Sequence, residues 1–108
     1  MVRYLCEAWE LDWSRRELRY GGTLVRVEPK VLSLLHALIE RAGRVMTREE
    51  LQALLWPGIA VGSDALHRLV RCARIAIQDD ASEPRPLMTR RGYGVALRAM
   101  GRRWEERR

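Results

Sequence analysis

The chain has 108 residues, with 20 Lys or Arg against 14 Asp or Glu, and therefore a formal net charge of +6. This length is typical of one small domain, and a content of 47% hydrophobic and 31% charged residues is typical of a globular protein rather than a disordered one. No apolar run reaches the roughly 18–20 residues of a transmembrane helix. Glu7 and Glu10 stand where a signal peptide would have its apolar stretch. We therefore expect a cytoplasmic protein.

The supply of metal-binding and redox-active side chains is small. Cys6 and Cys72 are too few for a disulfide scaffold, and we expect both to be thiols. With His36 and His67 they form no pair at the spacings that metal motifs use. We expect no metal site and no cofactor, and a structural or surface role for His36.

The positive charge is concentrated in the second part of the chain. Residues 1–62 hold nine basic and eight acidic side chains, whereas residues 63–108 hold eleven and six. Lys30 is the one lysine, so the other basic residues are arginines, whose planar fork suits bidentate contact with phosphate or guanine. A bias in genomic base composition would explain the Arg-to-Lys ratio equally well, so the positions of the arginines carry more information than their number.

The first 28 residues predict strands. Apolar and polar residues alternate over residues 4–8, 17–20 and 23–27, which predicts three strands. Gly21-Gly22 between the last two is a hairpin signal, because glycine readily adopts the positive φ of tight turns. We expect a small antiparallel meander.

Two helices follow. Apolar residues recur at helical spacing from Val31 to Ala42, with Pro29 suited to the first turn and Gly43 to the end. Thr47 and Glu50 then form a capping box before a second helix, whose buried stripe is Leu51, Leu54 and Leu55 and whose end is Trp56-Pro57-Gly58. Interpreting Thr47 and Glu50 as a catalytic pair would require a third group, and the sequence offers none.

The third helix is predicted over residues 65–78, with Ser63-Asp64 as N-cap, and it has two different faces. At 100° per residue one stripe is apolar, formed by Leu66, Val70, Ala73 and Ile77 with Leu69 at its margin. A second stripe lies about 100° away and has Arg68 on its far side; it consists of His67, Arg71, Arg74 and Gln78. No acidic residue lies between Asp64 and Asp79, and this face is typical of a nucleic-acid contact, although each arginine taken singly would equally be a solvated charge.

A closing hairpin is predicted over residues 86–97, with basic residues and glycine at its tip. Residues 101–108 are strongly charged and predict a tail or the start of a linker. The domain is therefore expected to span residues 1–100. The order of strands, three helices and a terminal hairpin predicts an α+β fold, a winged helix-turn-helix with an N-terminal antiparallel sheet and a C-terminal β-hairpin wing.

The sequence also resembles the OmpR/PhoB-type winged-helix domain, the C-terminal domain of transcriptional regulatory proteins, and within it the CadC/ToxR-like branch. The resemblance covers about residues 4–97 and lies in several stretches that occur in order: 18–22, 28–35, 43–51, 55–58, 64–70, 79–80, 83–85 and 91–93.

The resemblance implies a function and assigns residues to it. The third helix would enter the major groove of DNA with His67, Arg68, Arg71 and Arg74. The wing would reach the flanking minor groove or its phosphates with Arg90 and Arg91, and the start of the second helix would hold the DNA backbone with Thr47 and Arg48. The loop over residues 57–62 matches the segment that contacts RNA polymerase in some relatives. The sequence departs from the family pattern at Cys72, Ile75 and Gly94.

These observations predict a sequence-specific, nucleoid-associated regulator of transcription that binds double-stranded DNA, in pairs on repeated half-sites, and takes no small-molecule substrate. We expect no enzyme, because the sequence lacks a nucleophile motif, a phosphate loop and a ligand cluster. A sensing part, and with it a membrane anchor, would belong to a longer parent chain. The alternative is a winged helix that binds an acidic protein partner through the same arginines.

Overall fold

A computed structural model describes the backbone of residues 2–5, 9–41, 44–78, 87–90, 94–97 and 102–105, and the side chains of Tyr4 and of residues 9–41, 44–78 and 94–96. In chain order the elements are β1 (Val2–Leu5), β2 (Trp9–Asp12), β3 (Glu17–Tyr20), β4 (Thr23–Val25), α1 (Pro29–Glu40), β5 (Met46–Thr47), α2 (Arg48–Leu55), α3 (Ser63–Ala76), β6 (Leu87–Arg90), β7 (Gly94–Leu97) and β8 (Arg102–Glu105). The predicted α+β winged-helix architecture is thereby confirmed.

The N-terminal sheet is antiparallel and has the strand order β4-β3-β2-β1-β8. Register places Tyr4, Leu11, Leu18 and Val25 in one row across β1 to β4. The first three are at most 2% exposed, so this row forms the sheet's contribution to the core. The single strand predicted over residues 4–8 is wrong: the chain reverses, and β1 pairs with β2. Residues 6–8 lie outside the described part.

The charged segment after residue 100 was predicted as a tail, and the structure corrects this. Its residues 102–105 form β8, which pairs antiparallel with β1 from Val2↔Glu105 to Leu5↔Arg102. Backbone hydrogen bonds to a neighbouring strand are indifferent to side-chain charge, and edge strands commonly carry charged residues. A high charge density therefore did not exclude a strand at this position.

Helix α1 lies at the centre of the core. Its buried residues are Val31, Leu32, Leu34, Leu35, Ala37 and Leu38, and it contacts α2, α3 and β7. At its outer end His36 stacks on Trp13, with ring centroids 3.9 Å apart and planes 2° from parallel, and the Tyr4 hydroxyl donates to Glu40. The ring contact agrees with the structural role predicted for His36.

Helix α3 begins and ends two residues earlier than predicted. Gly62 is its N-cap and provides no side-chain bond; its carbonyl accepts from the Ala65 N–H at 3.2 Å. Ser63 and Asp64, the predicted cap, instead lie in the first turn, where the Asp64 carboxylate is favoured by the helix dipole. At the other end Ile77 is the C-cap, and Gln78 has a φ of +54°.

The predicted hairpin is present as β6 and β7, and together with β5, a strand that the sequence did not predict, it forms a second sheet that joins the wing to the helices. Its order is β5-β7-β6, and the two residues of β5 pair as Met46↔Val95 and Thr47↔Gly94. A Cβ on Gly94 would collide with the Met46 carbonyl oxygen and would lie 2.8 Å from the Thr47 Cα. Gly94 is therefore required by the close approach of two backbones.

We expect Gly94→Ala to destabilise the domain by about 1–3 kcal/mol, the usual cost of overpacking. The free energy of unfolding in urea measures it. Gly62→Ala is the control, because a Cβ there meets no atom within 4 Å, and its cost should stay below about 1 kcal/mol. Equal costs at both positions would contradict the close approach of β7 to β5.

Gln78 occupies the left-handed conformation after a helix that glycine usually occupies. Because a side chain is strained in that conformation, Gln78→Gly should stabilise the domain by about 0.5–1 kcal/mol. Gln52→Gly, inside α2, is the matched control and should destabilise by about 1 kcal/mol. A loss of stability in Gln78→Gly, measured by thermal or urea unfolding, would refute the strained conformation.

Candidate nucleic-acid interface

Helix α3 separates its residues into a buried face and a charged face. Leu66, Leu69, Val70, Ala73 and Ala76 are buried. Of the predicted contact residues, His67, Arg68 and Arg71 are exposed and Arg74 is half-buried. The structure therefore brings all four predicted residues of this helix together, with Arg74 at the border to the core. Such a face can offer bidentate donors to guanine or phosphate.

Arg68 has an ion-pair partner that the sequence analysis did not identify. Its Nη2 donates to Glu28 Oε1 at 3.1 Å, and its Nη1 lies 3.8 Å from the Cys72 sulfur. No described residue forms an ion pair with Arg71. The four predicted side chains are thus not equivalent: Glu28 partly neutralises the charge of Arg68, and no described acidic residue does so for Arg71.

The N-terminus of α2 carries the predicted capping box. Thr47 Oγ1 accepts from the Glu50 N–H at 3.0 Å, and Glu50 Oε1 accepts from the Thr47 N–H at 2.9 Å. The bond from the Thr47 N–H lowers the pKa of Glu50, and the Thr47 side chain and the nearby charges of Arg41 and Arg44 lower it further. Thr47 and Arg48 are both exposed at this helix N-terminus, where an anion is favoured.

The second sheet brings this helix start close to the wing. Thr47 pairs with Gly94, and Gly94 pairs with Arg90, so the three residues form one row across β5, β7 and β6. At about 5 Å per strand, the Cα atoms of Thr47 and Arg90 lie about 10 Å apart. Arg91 and Tyr93 lie outside the described residues, as does the side chain of Arg90. Of the two predicted contact residues of the wing, the structure thus gives only the backbone position of Arg90.

The described parts of the chain hold neither a metal-binding cluster nor a helix that could span a membrane. Among those residues, no group of three or more His, Cys, Asp or Glu is arranged to hold a metal ion. Over the same residues, no helix is both long and apolar enough to cross a bilayer.

Comparison with known proteins gives the family. Residues 22–97 match the family model described as the C-terminal domain of transcriptional regulatory proteins. The chain belongs to this family. It is therefore a DNA-binding domain of the transcription-regulator type, and the family is not one of enzymes.

One curated relative is similar in sequence, and two solved structures are similar in fold. The chain is 32% identical over 89 residues to the transcriptional activator protein IrlR of Burkholderia pseudomallei. The aligned segment covers 82% of this chain and 38% of IrlR. The DNA-binding domain of Escherichia coli CadC superposes with a TM-score of 0.82 at 19% identity, over 96% of this chain and 98% of that one. The Klebsiella pneumoniae RstA DNA-binding domain, solved in complex with the RstA box, superposes with a TM-score of 0.74 at 22% identity. The superposition covers 87% of this chain and 94% of that one. The chain thus spans less than two fifths of the length of IrlR.

The capping box makes stability depend on pH. The pKa of Glu50 in the folded domain is below its ordinary value of 4.5, so its carboxylate stabilises the folded state at pH values above that value. This contribution is lost as the pH falls through the lowered pKa. We expect Glu50→Gln to be less stable than the parent at pH 7 and nearly equal to it at strongly acidic pH.

Urea unfolding at a series of pH values measures this difference. Glu49→Gln is the matched control, because it removes a charge from the same helix turn without breaking the box. A Glu50→Gln deficit that is constant with pH would contradict a stabilising carboxylate.

Proposed function

We propose that the domain binds double-stranded DNA sequence-specifically and regulates transcription. Helix α3 enters the major groove, and the β6–β7 hairpin lies at the adjacent minor groove or its phosphates. The observation that carries the proposal is the exposure of His67, Arg68 and Arg71 on one side of a helix whose other side is buried in the core. B-DNA's major groove is wide enough to admit one helix in this way.

Each residue has a role that its position supports. Arg71, exposed near the middle of the charged face and with no ion-pair partner among the described residues, is the candidate for a bidentate contact with guanine. His67 and Arg68 lie one turn earlier and supply further donors. Half-buried Arg74 is suited to a phosphate, since the core side restricts its reach.

Two other elements would contact the DNA backbone. Thr47 presents a hydroxyl and Arg48 a charge at a helix N-terminus, whose dipole favours phosphate. Arg90 and Arg91 would supply the charge of the wing, because a narrow minor groove attracts arginine. The pairing of β7 with both β5 and β6 supports a joint action of these four residues on one stretch of backbone.

We further propose that two copies bind repeated half-sites about one helical turn apart, and that the loop over residues 57–62 contacts RNA polymerase. The loop places Ile59 at the surface with 63% of its area exposed, which suits a protein contact. We also propose cytoplasmic, nucleoid-associated placement, where a double-stranded DNA target would lie.

One observation favours a second candidate function. Ile75 is 70% exposed, and on α3 it lies on the same charged face as Arg68 and Arg71. An exposed apolar side chain between two arginines could also bind an acidic protein surface that has an apolar centre. This alternative would be supported if the domain did not bind duplex DNA at low salt and did bind such a protein.

The proposed function predicts different effects for two arginines. Arg71→Ala should weaken binding to a selected duplex by about 1–3 kcal/mol, because it removes a base contact. Arg90→Ala should weaken binding to all duplexes and reduce the slope of log affinity against log salt by about one unit. Both are measured by fluorescence anisotropy over a range of salt concentrations.

The matched control is Arg15→Ala, an exposed arginine in the turn between β2 and β3. It removes the same charge at a distance from α3 and should change neither affinity nor slope appreciably. The proposed interface would be wrong if Arg71→Ala and Arg90→Ala behaved like Arg15→Ala.

A further inference from the structure

Glu28 is held in a fixed position between β4 and α1. It is the N-cap residue of α1, followed by Pro29, and its carbonyl accepts from the Val31 N–H at 3.0 Å. Its carboxylate makes no capping bond to the helix that it begins. Instead, it reaches across to α3 and accepts from Arg68. The side chain thus contacts a residue of the charged face from an element outside that face.

The pair lies at the surface. The side chains of Arg68 and Glu28 are 58% and 44% exposed, at the rim of a groove of about 360 Å³ between α3 and residues 25–28. Exposed ion pairs of this kind contribute little to folding stability. The carboxylate has a larger effect on a nearby phosphate, because it repels the anion that the guanidinium attracts.

Pairing changes what Arg68 offers to DNA. A guanidinium beside a carboxylate attracts phosphate weakly, and such a pair releases few counterions when it meets DNA. The guanidinium has five N–H donors, and the contacts to Glu28 and Cys72 engage two of them. Those that remain can still donate to a base edge. The pair therefore reduces the attraction to DNA that is independent of sequence and leaves N–H donors of Arg68 for a base edge.

We propose that Glu28 is a specificity-determining positioning residue. It restrains Arg68 and lowers affinity for non-specific DNA, and so increases discrimination between specific and non-specific duplexes. This inference rests on the proposed function. It concerns a residue that lies outside α3, the second helix and the wing.

The test is a double-mutant cycle on the 108-residue chain. The wild type, Glu28→Gln, Arg68→Ala and the double variant are titrated with a duplex selected by the wild type from a random pool, and with a scrambled duplex of equal length. Salt is varied between about 50 and 200 mM. Glu28→Gln should bind the scrambled duplex about 3- to 10-fold more tightly at the lowest salt, with a slope steeper by about 0.9. Its gain on the selected duplex should be smaller, so the specificity ratio falls.

The Arg68→Ala background separates restraint of Arg68 from a simple charge effect. There, Glu28→Gln should produce less than half of that gain on a logarithmic scale. An equal gain in both backgrounds, or no gain in either, would overturn the proposal.

Glu17→Gln is the matched control, because it breaks a partly buried pair with Arg19, at 3.5 Å, in the N-terminal sheet. This variant should leave the DNA affinity, the salt slope and the specificity ratio unchanged. A gain in affinity for the scrambled duplex equal to that of Glu28→Gln would also overturn the proposal. Urea unfolding should give the same midpoint for Glu28→Gln and the wild type, which excludes a folding effect.

If the wild type itself binds no duplex, the proposed function fails together with this inference. If it binds the selected duplex and the cycle is additive, the inference alone fails.

Discussion

The approach of β7 to β5 is the constraint on which the geometry of the interface depends. Gly94 lies against the backbone of Met46 and Thr47, and the neighbouring pair, Met46 and Val95, is buried with 2% exposure each. A two-stranded hairpin by itself is marginally stable in water. Here the third strand and the core behind it hold the hairpin in place. The same contact determines where α2 begins, because Thr47 is both the end of β5 and the N-cap of α2.

The distribution of charge follows from how the helices pack. Burial of one side of α3 leaves the other side for His67, Arg68 and Arg71, and it places Arg74 at the border. The positive charge of this face is smaller than its number of arginines indicates. Glu28, at the start of α1, neutralises part of the charge of Arg68. A DNA-binding surface that relied on charge alone would bind every sequence. Partial neutralisation is consistent with a surface on which directed hydrogen bonds contribute to selectivity.

Features determined by local sequence were predictable. The capping box at Thr47, the two faces of α3 and the glycine turn at Gly21-Gly22 depend on residues a few positions apart, and the structure confirms them. The hairpin over residues 86–97 was also predictable from its local pattern, and the pairing of β6 with β7 confirms it. The resemblance to a known family supplied the roles of its arginines, which remain predictions.

Features determined by contacts between distant segments were missed. β5 has two residues and no periodicity of its own, so it exists through its pairing with β7. β8 carries the charge pattern of a tail, and its pairing with β1 joins the two ends of the described chain. The bond from Arg68 to Glu28 spans 40 positions, and no spacing rule would have suggested it. In each case the determining partner lies far away in the sequence.

The central claim is that α3 reads the major groove, and methylation interference tests it most directly. N7 of guanine lies in the major groove, and a methyl group there blocks the bidentate contact of an arginine. On a selected duplex, we predict that N7-methylation of one or more guanines within the bound site prevents binding of the wild type. Binding that tolerates N7-methylation at every guanine of that site would contradict the claim.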